Sequence, residues 1–336
     1  MRLVEKGDLQ GVQRLVQSGA VGINDRHPPD AGSTALMLAA DKGHQPMVQG
    51  LLALGADCNA PELRPVRTSS EAAEMMDEKH INNSEACYGH HGTALMRAAF
   101  RGHEGVIKAL LAAGAEVDTV DSKGDAALNY AIYGKHRGAV QALLAGGASP
   151  NLQNLTGSSV LNLLACSWGD VEAFDDLVQA GADPLQRTIR GCTVLMDAVN
   201  QPALMSHILS TYPGLDVNAC DNDGCTALHG ALELEAVELL LKAGAQVNAV
   251  DNSGRSPLLY MGTMGKPDLV RALLAAGADA LQVTDDGRNA LTLLVGRRSA
   301  SKLSKDDELI RRMLTKAMAV QQRQRRQQQV RAVHME

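Results

Sequence analysis

The chain has 336 residues and a formal net charge of −6 at pH 7, and its composition excludes several classes of protein. Only 2% of the residues are aromatic, whereas 32 are glycine, which is typical of thin layers of small helices rather than of a core of bulky side chains. No run of 18 apolar residues suggests a membrane span, and the six cysteines lack paired spacing. With no apolar leader after Met1, we expect a reducing compartment, the cytosol or the nucleus.

A tripeptide similar to Thr-Ala-Leu recurs along the chain. Successive copies are separated by 59, 33, 33, 34, 33, 30 and 33 residues. The copies begin at Thr34, Thr93, Ala126, Ser159, Thr193, Thr226, Ser256 and Asn289. A period of this length indicates a solenoid, in which each repeat buries its apolar face only against its neighbours. We therefore expect one elongated domain rather than two globular ones.

The copy that begins at Thr93 shows the internal order of one repeat. Apolar spacing predicts a short helix from Ala94 to Phe100, and Gly102-His103 then interrupts the pattern. A second helix is predicted from Glu104 to Ala112, with an apolar stripe on one face. Gly114 is suited to end this helix, and residues 116–125 favour a hairpin. Each repeat is thus predicted to be helix, turn, helix and hairpin.

Several phrases of the sequence resemble the ankyrin repeat family. They are GSTALMLAADKGH from Gly32, LLALGADCN from Leu51, GCTALHGAL from Gly224, LLLKAGAQVNAVDNSG from Leu239 and LLAAGADALQVTDDG from Leu273. The resemblance extends over nearly the whole chain. It implies an all-α repeat solenoid, an ankyrin-like stack of helix-turn-helix-hairpin units, and it does not by itself fix what the protein binds.

The predicted organisation follows the repeats and their interruptions. Residues 1–30 are interpreted as an N-terminal capping unit, 31–59 as repeat one, 60–90 as an insertion on the hairpin side, 91–316 as repeats two to eight, and 317–336 as a basic Gln/Arg-rich helix or tail. The insertion is predicted to contain a short helix near residues 69–80 and to be dispensable for folding. The repeat from Thr226 lacks three residues, which predicts a shortened first helix.

The sequence contains no catalytic signature, so we expect neither an enzyme nor a cofactor. His44, His103 and His136 share one repeat position, and His229 follows a Thr-Ala-Leu opening; in the family that the chain resembles, such histidines are structural. Five residues in and near the insertion are of the types that bind zinc, but they lack paired CxxC spacing, and we expect no metal. Those residues are Cys58, His80, Cys87, His90 and His91. Cys192 and Cys225 are predicted to remain free thiols.

Three of the eight aromatic residues follow small residues near the ends of successive first helices. They are Phe100, Tyr133 and Trp168, and Arg101 is adjacent to the first of them. The resemblance places this position on the concave groove, where partners commonly bind. Exposed aromatic and arginine side chains are frequent interface anchors. The alternative is that these rings merely fill gaps between repeats.

The hairpin tips supply further candidate contact residues. They are Lys123, Asp125, Thr156, Ser158, Arg190, Cys192, Asp223, Cys225, Ser253 and Arg255. The leading hypothesis is a non-catalytic protein-protein interaction scaffold or adaptor that binds one or more proteins through the groove and the fingertips, as a monomer and without a membrane. The alternative is a nucleic-acid-associated regulator, because residues 297–336 have a net charge of +7 and contain several arginines.

Overall fold

The regular secondary structure of the described residues is almost entirely helical, and most of the helices are paired. The computed structural model describes residues 1–26, 32–62, 92–297 and 303–333. Within these ranges the β-structure is limited to isolated bridge residues, which are Ser33 and the pair Val283 and Asn289. The predicted all-α class is therefore confirmed. None of the helices in these ranges combines the length and the apolar character needed to cross a membrane.

The chain divides into two compact units, Met1–Asp183 and Pro184–Glu336. The helices of the N-terminal unit are α1 (Arg2–Glu5), α2 (Leu9–Gln17), α3 (Ala35–Asp41), α4 (Gln45–Ala53), α5 (Ala94–Arg101), α6 (Glu104–Ala112), α7 (Ala127–Tyr133), α8 (Arg137–Ala145), α9 (Val160–Ser167) and α10 (Val171–Gln179). The helices of the C-terminal unit are α11 (Val194–Asp197), α12 (Pro202–Thr211), α13 (Ala227–Gly230), α14 (Leu234–Lys242), α15 (Pro257–Gly262), α16 (Pro267–Ala275), α17 (Ala290–Arg297) and α18 (Lys305–Val333).

The recurring tripeptide marks the start of the first helix of each repeat. At α5, the Thr93 hydroxyl accepts a hydrogen bond from the backbone N–H of Met96, at 3.3 Å. The Met96 sulfur in turn faces the Thr93 N–H, at 3.3 Å, so the two residues form a reciprocal cap. At α13, His229 takes the role of Met96, and its Nδ1 accepts from the N–H of Thr226. The threonine therefore begins the helix, and the residue three positions later completes the cap.

The leucine of the tripeptide lies in the core of the stack. Seven of these leucines are at most 1% exposed, namely Leu36, Leu95, Leu128, Leu161, Leu195, Leu228 and Leu258. The eighth, Leu291, is only half-buried. In α17 the fully buried residues are Ala290 and Leu294.

The segment predicted as a hairpin is a tight loop rather than a strand pair. In each loop the first residue donates its N–H to the carbonyl of the fifth, as Asp121 does to Asp125 at 3.0 Å. The side chain of the first residue also holds the loop, since Asp121 Oδ1 accepts from the N–H groups of Lys123 and Asp125. We call these segments the fingertip loops; they comprise residues 121–125, 154–158, 188–192, 221–225, 251–255 and 284–288.

A second recurring contact, which we call the asparagine bridge, connects neighbouring repeats. Asn218 accepts a hydrogen bond from the N–H of Gln246, at 2.7 Å, and donates to the carbonyl of Gly244, at 3.2 Å. Three other asparagines make the same pair of contacts, at Asn59, Asn151 and Asn248. One amide side chain thus pairs two backbone groups that would otherwise depend on solvent.

The interruptions of the repeat have the predicted local effects where the structure describes them. Helix α13 has only four residues, as the three missing residues predicted. Helix α18 runs without a break from Lys305 to Val333 and so includes most of the residues interpreted as a basic helix or tail.

The first residues of the predicted insertion pack against the repeats. Ala60 is 6% exposed and Glu62 is 1% exposed. The Glu62 carboxylate lies 2.9 Å from Arg97 Nη2, and the Glu62 N–H donates to the carbonyl of Gly92. The helix predicted near residues 69–80 lies outside the described residues. Ala60 and Glu62 are therefore part of the packed structure of the repeats.

Candidate functional site

Most of the predicted fingertip residues lie on the surface. The exposed ones are Lys123, Thr156, Arg190, Asp223, Ser253 and Arg255, whereas Ser158, Cys192 and Cys225 are half-buried. Arg190 and Asp223 form a loose surface ion pair at 3.5 Å. Arg255 is more constrained, since it pairs with the Asp251 carboxylate at 2.8 Å and its guanidinium lies 4.7 Å from the Tyr260 ring centroid.

Asp125 does not lie where the sequence analysis placed it. Its side chain is only 3% exposed, and it accepts hydrogen bonds from the Tyr133 hydroxyl, at 3.1 Å, and the Asn154 amide, at 2.9 Å. Burial raises the pKa of Asp125 above its ordinary value, although the Asn154 amide acts in the opposite direction. The expectation of an exposed Asp125 is therefore wrong, and this carboxylate connects two fingertip loops internally.

The predicted aromatic strip is partly assembled in the N-terminal unit. Phe100 and Tyr133 are half-buried, and both make edge contacts with the buried ring of Tyr130, at centroid distances of 6.4 and 6.0 Å. Arg101 is exposed and donates to Asp41 Oδ1 at 3.0 Å. Burial and the neighbouring Asp125 raise the pKa of Tyr133, so its hydroxyl stays protonated and donates. Part of each ring thus fills space between repeats, and part reaches the surface.

Trp168 does not share the register of the other two aromatic residues. Phe100 and Tyr133 each lie seven residues after the N-cap of their helix, whereas Trp168 lies nine residues after Ser159 and follows the last residue of α9. The seventh position in α9 is Cys166, which is exposed. Trp168 therefore lies two positions further along its repeat than Phe100 and Tyr133, and the predicted common position is wrong for Trp168.

Sequence reasoning missed two tyrosines that hold fingertip loops. The hydroxyl of Tyr130 donates to Asp121 Oδ2 at 2.7 Å, and that of Tyr260 donates to Asp251 Oδ2 at 2.9 Å. A signal was present, since an aspartate stands nine residues before each tyrosine. In each loop the backbone N–H groups donate to Oδ1 of the aspartate, and the tyrosine hydroxyl donates to Oδ2.

Two exposed apolar fingertip residues were also missed. Leu155 is 71% exposed and Ile189 is 67% exposed. At the same loop position the other repeats have Ser122, Asn222, Asn252 and Asp285. An apolar residue in a series that is otherwise polar was the signal that could have identified them.

The histidines have structural contacts, as predicted. His103 Nε2 lies 3.0 Å from the carbonyl oxygen of Asp41, so it joins consecutive repeats. His229 accepts from the Thr226 N–H at Nδ1 and lies 3.0 Å from the Arg255 carbonyl at Nε2. The neutral ring satisfies both contacts, with an acceptor at Nδ1 and a donor at Nε2.

Burial lowers the pKa of His229 below its ordinary value of 6.5. Between the lowered pKa and the ordinary value, the unfolded chain binds more protons than the folded chain, so we expect stability to fall as the pH decreases through and below about 6.5. The corresponding N-terminal caps of α7 and α9 have Asn129 and Asn162 at this position. His229→Asn is therefore a matched variant. Urea unfolding at pH 7.5 and 5.5 should show a smaller loss for the variant; equal losses would contradict this role.

No metal centre is formed by the residues that the structure describes. Within them, no group of three or more histidine, cysteine, aspartate or glutamate side chains could hold an ion. Of the cluster weighed as a zinc site, only Cys58 is described, and its Sγ donates to the carbonyl of Ala113 at 3.7 Å; the others lie outside the described residues. Cys192 and Cys225 are free thiols, as predicted, and burial raises the pKa of both.

Comparison with known proteins identifies the repeat. The family model described as ankyrin repeats (3 copies) matches residues 70–154 and 161–251, and the ankyrin repeat model matches residues 31–62. The crystal structure of the ankyrin repeat domain of Bcl-3 superimposes with a TM-score of 0.52 and 26% identity, over 66% of this chain and 98% of that chain.

Two curated relatives are similar over part of their length. The palmitoyltransferase AKR1 of Lachancea kluyveri is 32% identical over 136 residues, which are 38% of this chain and 18% of that protein. The B-cell lymphoma 3 protein homolog of Mus musculus is 36% identical over 129 residues, which are 36% of this chain and 29% of that protein. The chain spans less than a third of the length of either relative.

The repeats, their reciprocal caps and their fingertip loops agree with these matches. The model of three ankyrin repeats alone covers more than half of the 336 residues. Ankyrin repeats generally mediate protein-protein interactions and are typically not enzymatic. The chain belongs to the ankyrin repeat family.

Proposed function

We propose that the chain is a non-catalytic scaffold or adaptor that binds partner proteins through its fingertip loops and the exposed ends of its first helices. The observation that carries this proposal is the exposure of Leu155, at 71%, on a loop whose backbone is held in place. An apolar side chain in that setting is costly in water and favourable in an interface.

The loop around Leu155 is ordered before any partner binds. Asn154 Oδ1 accepts from the N–H groups of Thr156 and Ser158, and the Leu155 N–H donates to the carbonyl of Lys123 in the preceding fingertip loop, at 2.9 Å. A partner that contacts this loop has little backbone freedom left to remove. Binding can then depend on a few anchor side chains.

The strip formed by Phe100, Arg101 and Tyr133 is the second part of the proposed surface. Phe100 and Tyr133 rest on the buried Tyr130 ring, so their positions are fixed from beneath. Arg101 lies beside the Phe100 ring, with its guanidinium carbon 5.8 Å from the ring centroid. Aromatic and arginine side chains fixed in this way are the kind that dominate binding energy in interfaces.

The contacts of the basic tail support nucleic-acid binding less strongly than its composition does. Arg325 pairs with Asp279 at 2.6 Å, and Arg311 and Arg312 both pair with Glu308. These contacts reduce the cationic charge available for phosphates. A scaffold that binds proteins therefore fits the described contacts better.

Variants of exposed residues test the proposal without disturbing the core. We expect Leu155→Asp and Arg101→Glu to reduce capture of partner proteins by the full chain, because an anchor substitution typically costs about 2 kcal/mol or more. Quantitative mass spectrometry after affinity capture measures the change. Val330→Asp is the matched control, because Val330 is an apolar residue with 58% exposure that belongs to α18 rather than to a fingertip loop.

Thermal unfolding of each variant must remain close to that of the parent, so that a loss of capture reports a lost contact. Reduced capture by the two surface variants but not by Val330→Asp would support the proposed surface. An unchanged set of partners in both would show that the fingertip loops and the strip are not the binding site.

A further inference from the structure

The turn between α7 and α8 contains a lysine in a left-handed backbone conformation. Lys135 has a φ angle of +60°, and it is the one non-glycine residue with a positive φ among the residues that the structure describes. Four other repeats have a glycine at the equivalent position, two residues before the second helix, with φ angles from +70° to +75°. They are Gly43, Gly102, Gly169 and Gly265. A side chain in this conformation costs free energy that a glycine does not.

The backbone of this turn explains the residue before Lys135 but not Lys135 itself. The other four repeats have a large side chain at the position of Gly134, namely Lys42, Arg101, Trp168 and Met264. A Cβ on Gly134 would lie 2.2 Å from the carbonyl oxygen of Phe100, so a glycine is required there. Position 135 is different, because a glycine would adopt its φ angle without cost. Residues held in such conformations cluster at sites that contact ligands.

The charge of Lys135 is not matched within the described part of the chain. Lys135 is exposed, and its ammonium group has no hydrogen bond or ion pair with a described residue. The neighbouring cations differ in this respect, since Arg101 lies 3.0 Å from Asp41 and Arg137 lies 2.7 Å from Asp176. Both of these carboxylates therefore already have a cation. Lys135 gives the turn a positive charge that an external carboxylate can pair.

Lys135 lies beside the strip formed by Phe100, Arg101 and Tyr133. Tyr133 is the last residue of α7, two residues before Lys135. Phe100 approaches the same turn, since its carbonyl oxygen lies against Gly134. The rings of Phe100 and Tyr133 are half-buried, so each leaves an apolar edge at the surface. An exposed ammonium group thus adjoins two partly exposed aromatic rings.

We propose that Lys135 makes this strip selective for an acidic segment of a partner protein, in which an aspartate or glutamate adjoins an apolar side chain. The carboxylate accepts hydrogen bonds from the Lys135 ammonium group, and the apolar side chain contacts Phe100 and Tyr133. Opposite charges across an interface contribute mainly to specificity and to the rate of association. This inference rests on the proposed function, because it specifies which chemistry the strip recognises.

Lys135→Gly separates the contribution of this residue to stability from its contribution to binding. Glycine fits the φ angle of +60°, so the melting temperature should rise by roughly 2 to 4 °C. Lys135→Arg keeps the positive charge and the unfavourable backbone conformation, and its melting temperature should equal that of the parent. Lys6→Gly is the matched control, because Lys6 is exposed in the turn after α1 and has an ordinary φ of −82°.

A library of short random peptides displayed on phage is the probe for binding. Selection against the full chain should enrich peptides that combine aspartate or glutamate with an apolar residue, and fluorescence anisotropy measures their affinity. We expect Lys135→Gly to weaken binding of these peptides by about fivefold. Lys135→Arg and Lys6→Gly should bind them as the parent does. Selection against Lys135→Glu should instead enrich lysine or arginine.

The outcomes distinguish this inference from the proposed function. Peptides that lose affinity for Arg101→Glu but bind Lys135→Gly as tightly as the parent would overturn the inference and leave the proposed surface in place. Peptides insensitive to both variants would contradict the surface as well. Equal losses for Lys135→Arg and Lys135→Gly, or a selection without enrichment of aspartate or glutamate, would show that the strip does not recognise a carboxylate through Lys135.

Discussion

Replacement of Leu128 by alanine is expected to lower the free energy of unfolding by about 2 to 5 kcal/mol. Leu128 is 1% exposed, and its helix α7 packs against α5 on one side and α9 on the other. A cavity between two such layers cannot collapse without moving a neighbouring repeat. The substitution therefore removes the buried leucine side chain and leaves most of the void open. Urea-induced unfolding followed by circular dichroism measures the change.

Leu155→Ala is the matched control for Leu128→Ala, because it removes the same atoms from a side chain that is 71% exposed. Its unfolding should stay within about 0.5 kcal/mol of the parent. Leu228→Ala, in the C-terminal unit, removes a leucine that is 0% exposed and should resemble Leu128→Ala. If all three variants unfolded like the parent, the stacked arrangement of the repeats would be contradicted.

Replacement of Arg97 by methionine is expected to destabilise the N-terminal unit by about 3 to 5 kcal/mol. Arg97 Nη2 lies 2.9 Å from Glu62 Oε1 and donates to the Ser33 hydroxyl at 2.7 Å. Its side chain is 12% exposed and that of Glu62 is 1% exposed. The substitution leaves a carboxylate buried without its cation, and the cost of that charge exceeds the value of the pair itself.

The double variant Arg97→Met with Glu62→Leu distinguishes a charge effect from a packing effect. It should recover most of the lost stability, since a buried ion pair exchanged for apolar side chains is often neutral or stabilising. Arg190→Met is the exposed control, because Arg190 and Asp223 are 75% and 72% exposed, and it should cost at most about 1 kcal/mol. A loss for Arg97→Met as small as that for Arg190→Met would show that Glu62 does not anchor this part of the chain.

The sequence period was sufficient to predict the helices because their determinants are local. Thr93 and Thr226 cap the helices that follow them, and each requires only a partner three residues away. The absence of three residues after Thr226 predicted the four-residue α13 for the same reason. Capping residues and repeat spacing can be identified from the sequence alone, and here they agree with the helices of the stacked repeats.

The side-chain environments of the candidate site were less predictable because they depend on residues from other repeats. Asp125 is buried because Asn154, 29 residues later, and Tyr133 both donate to it. Glu62 is buried because Arg97 reaches it from the far side of the insertion. The prediction for Trp168 was wrong for a different reason, since this residue lies nine positions after its N-cap, whereas Tyr133 lies seven positions after its own.

The fourth residue of each fingertip loop restricts these loops to a particular kind of change. Gly124 and Gly224 have φ angles of +77° and +80°. A Cβ on either would lie within 3 Å of a backbone nitrogen in the next loop, that of Leu155 or of Asn252. The second and third residues, such as Leu155 and Thr156, are exposed. The side chains at the second and third positions can therefore differ between repeats while the loop backbone stays the same. Exchanging only these two residues between loops is a direct way to change which partner is bound.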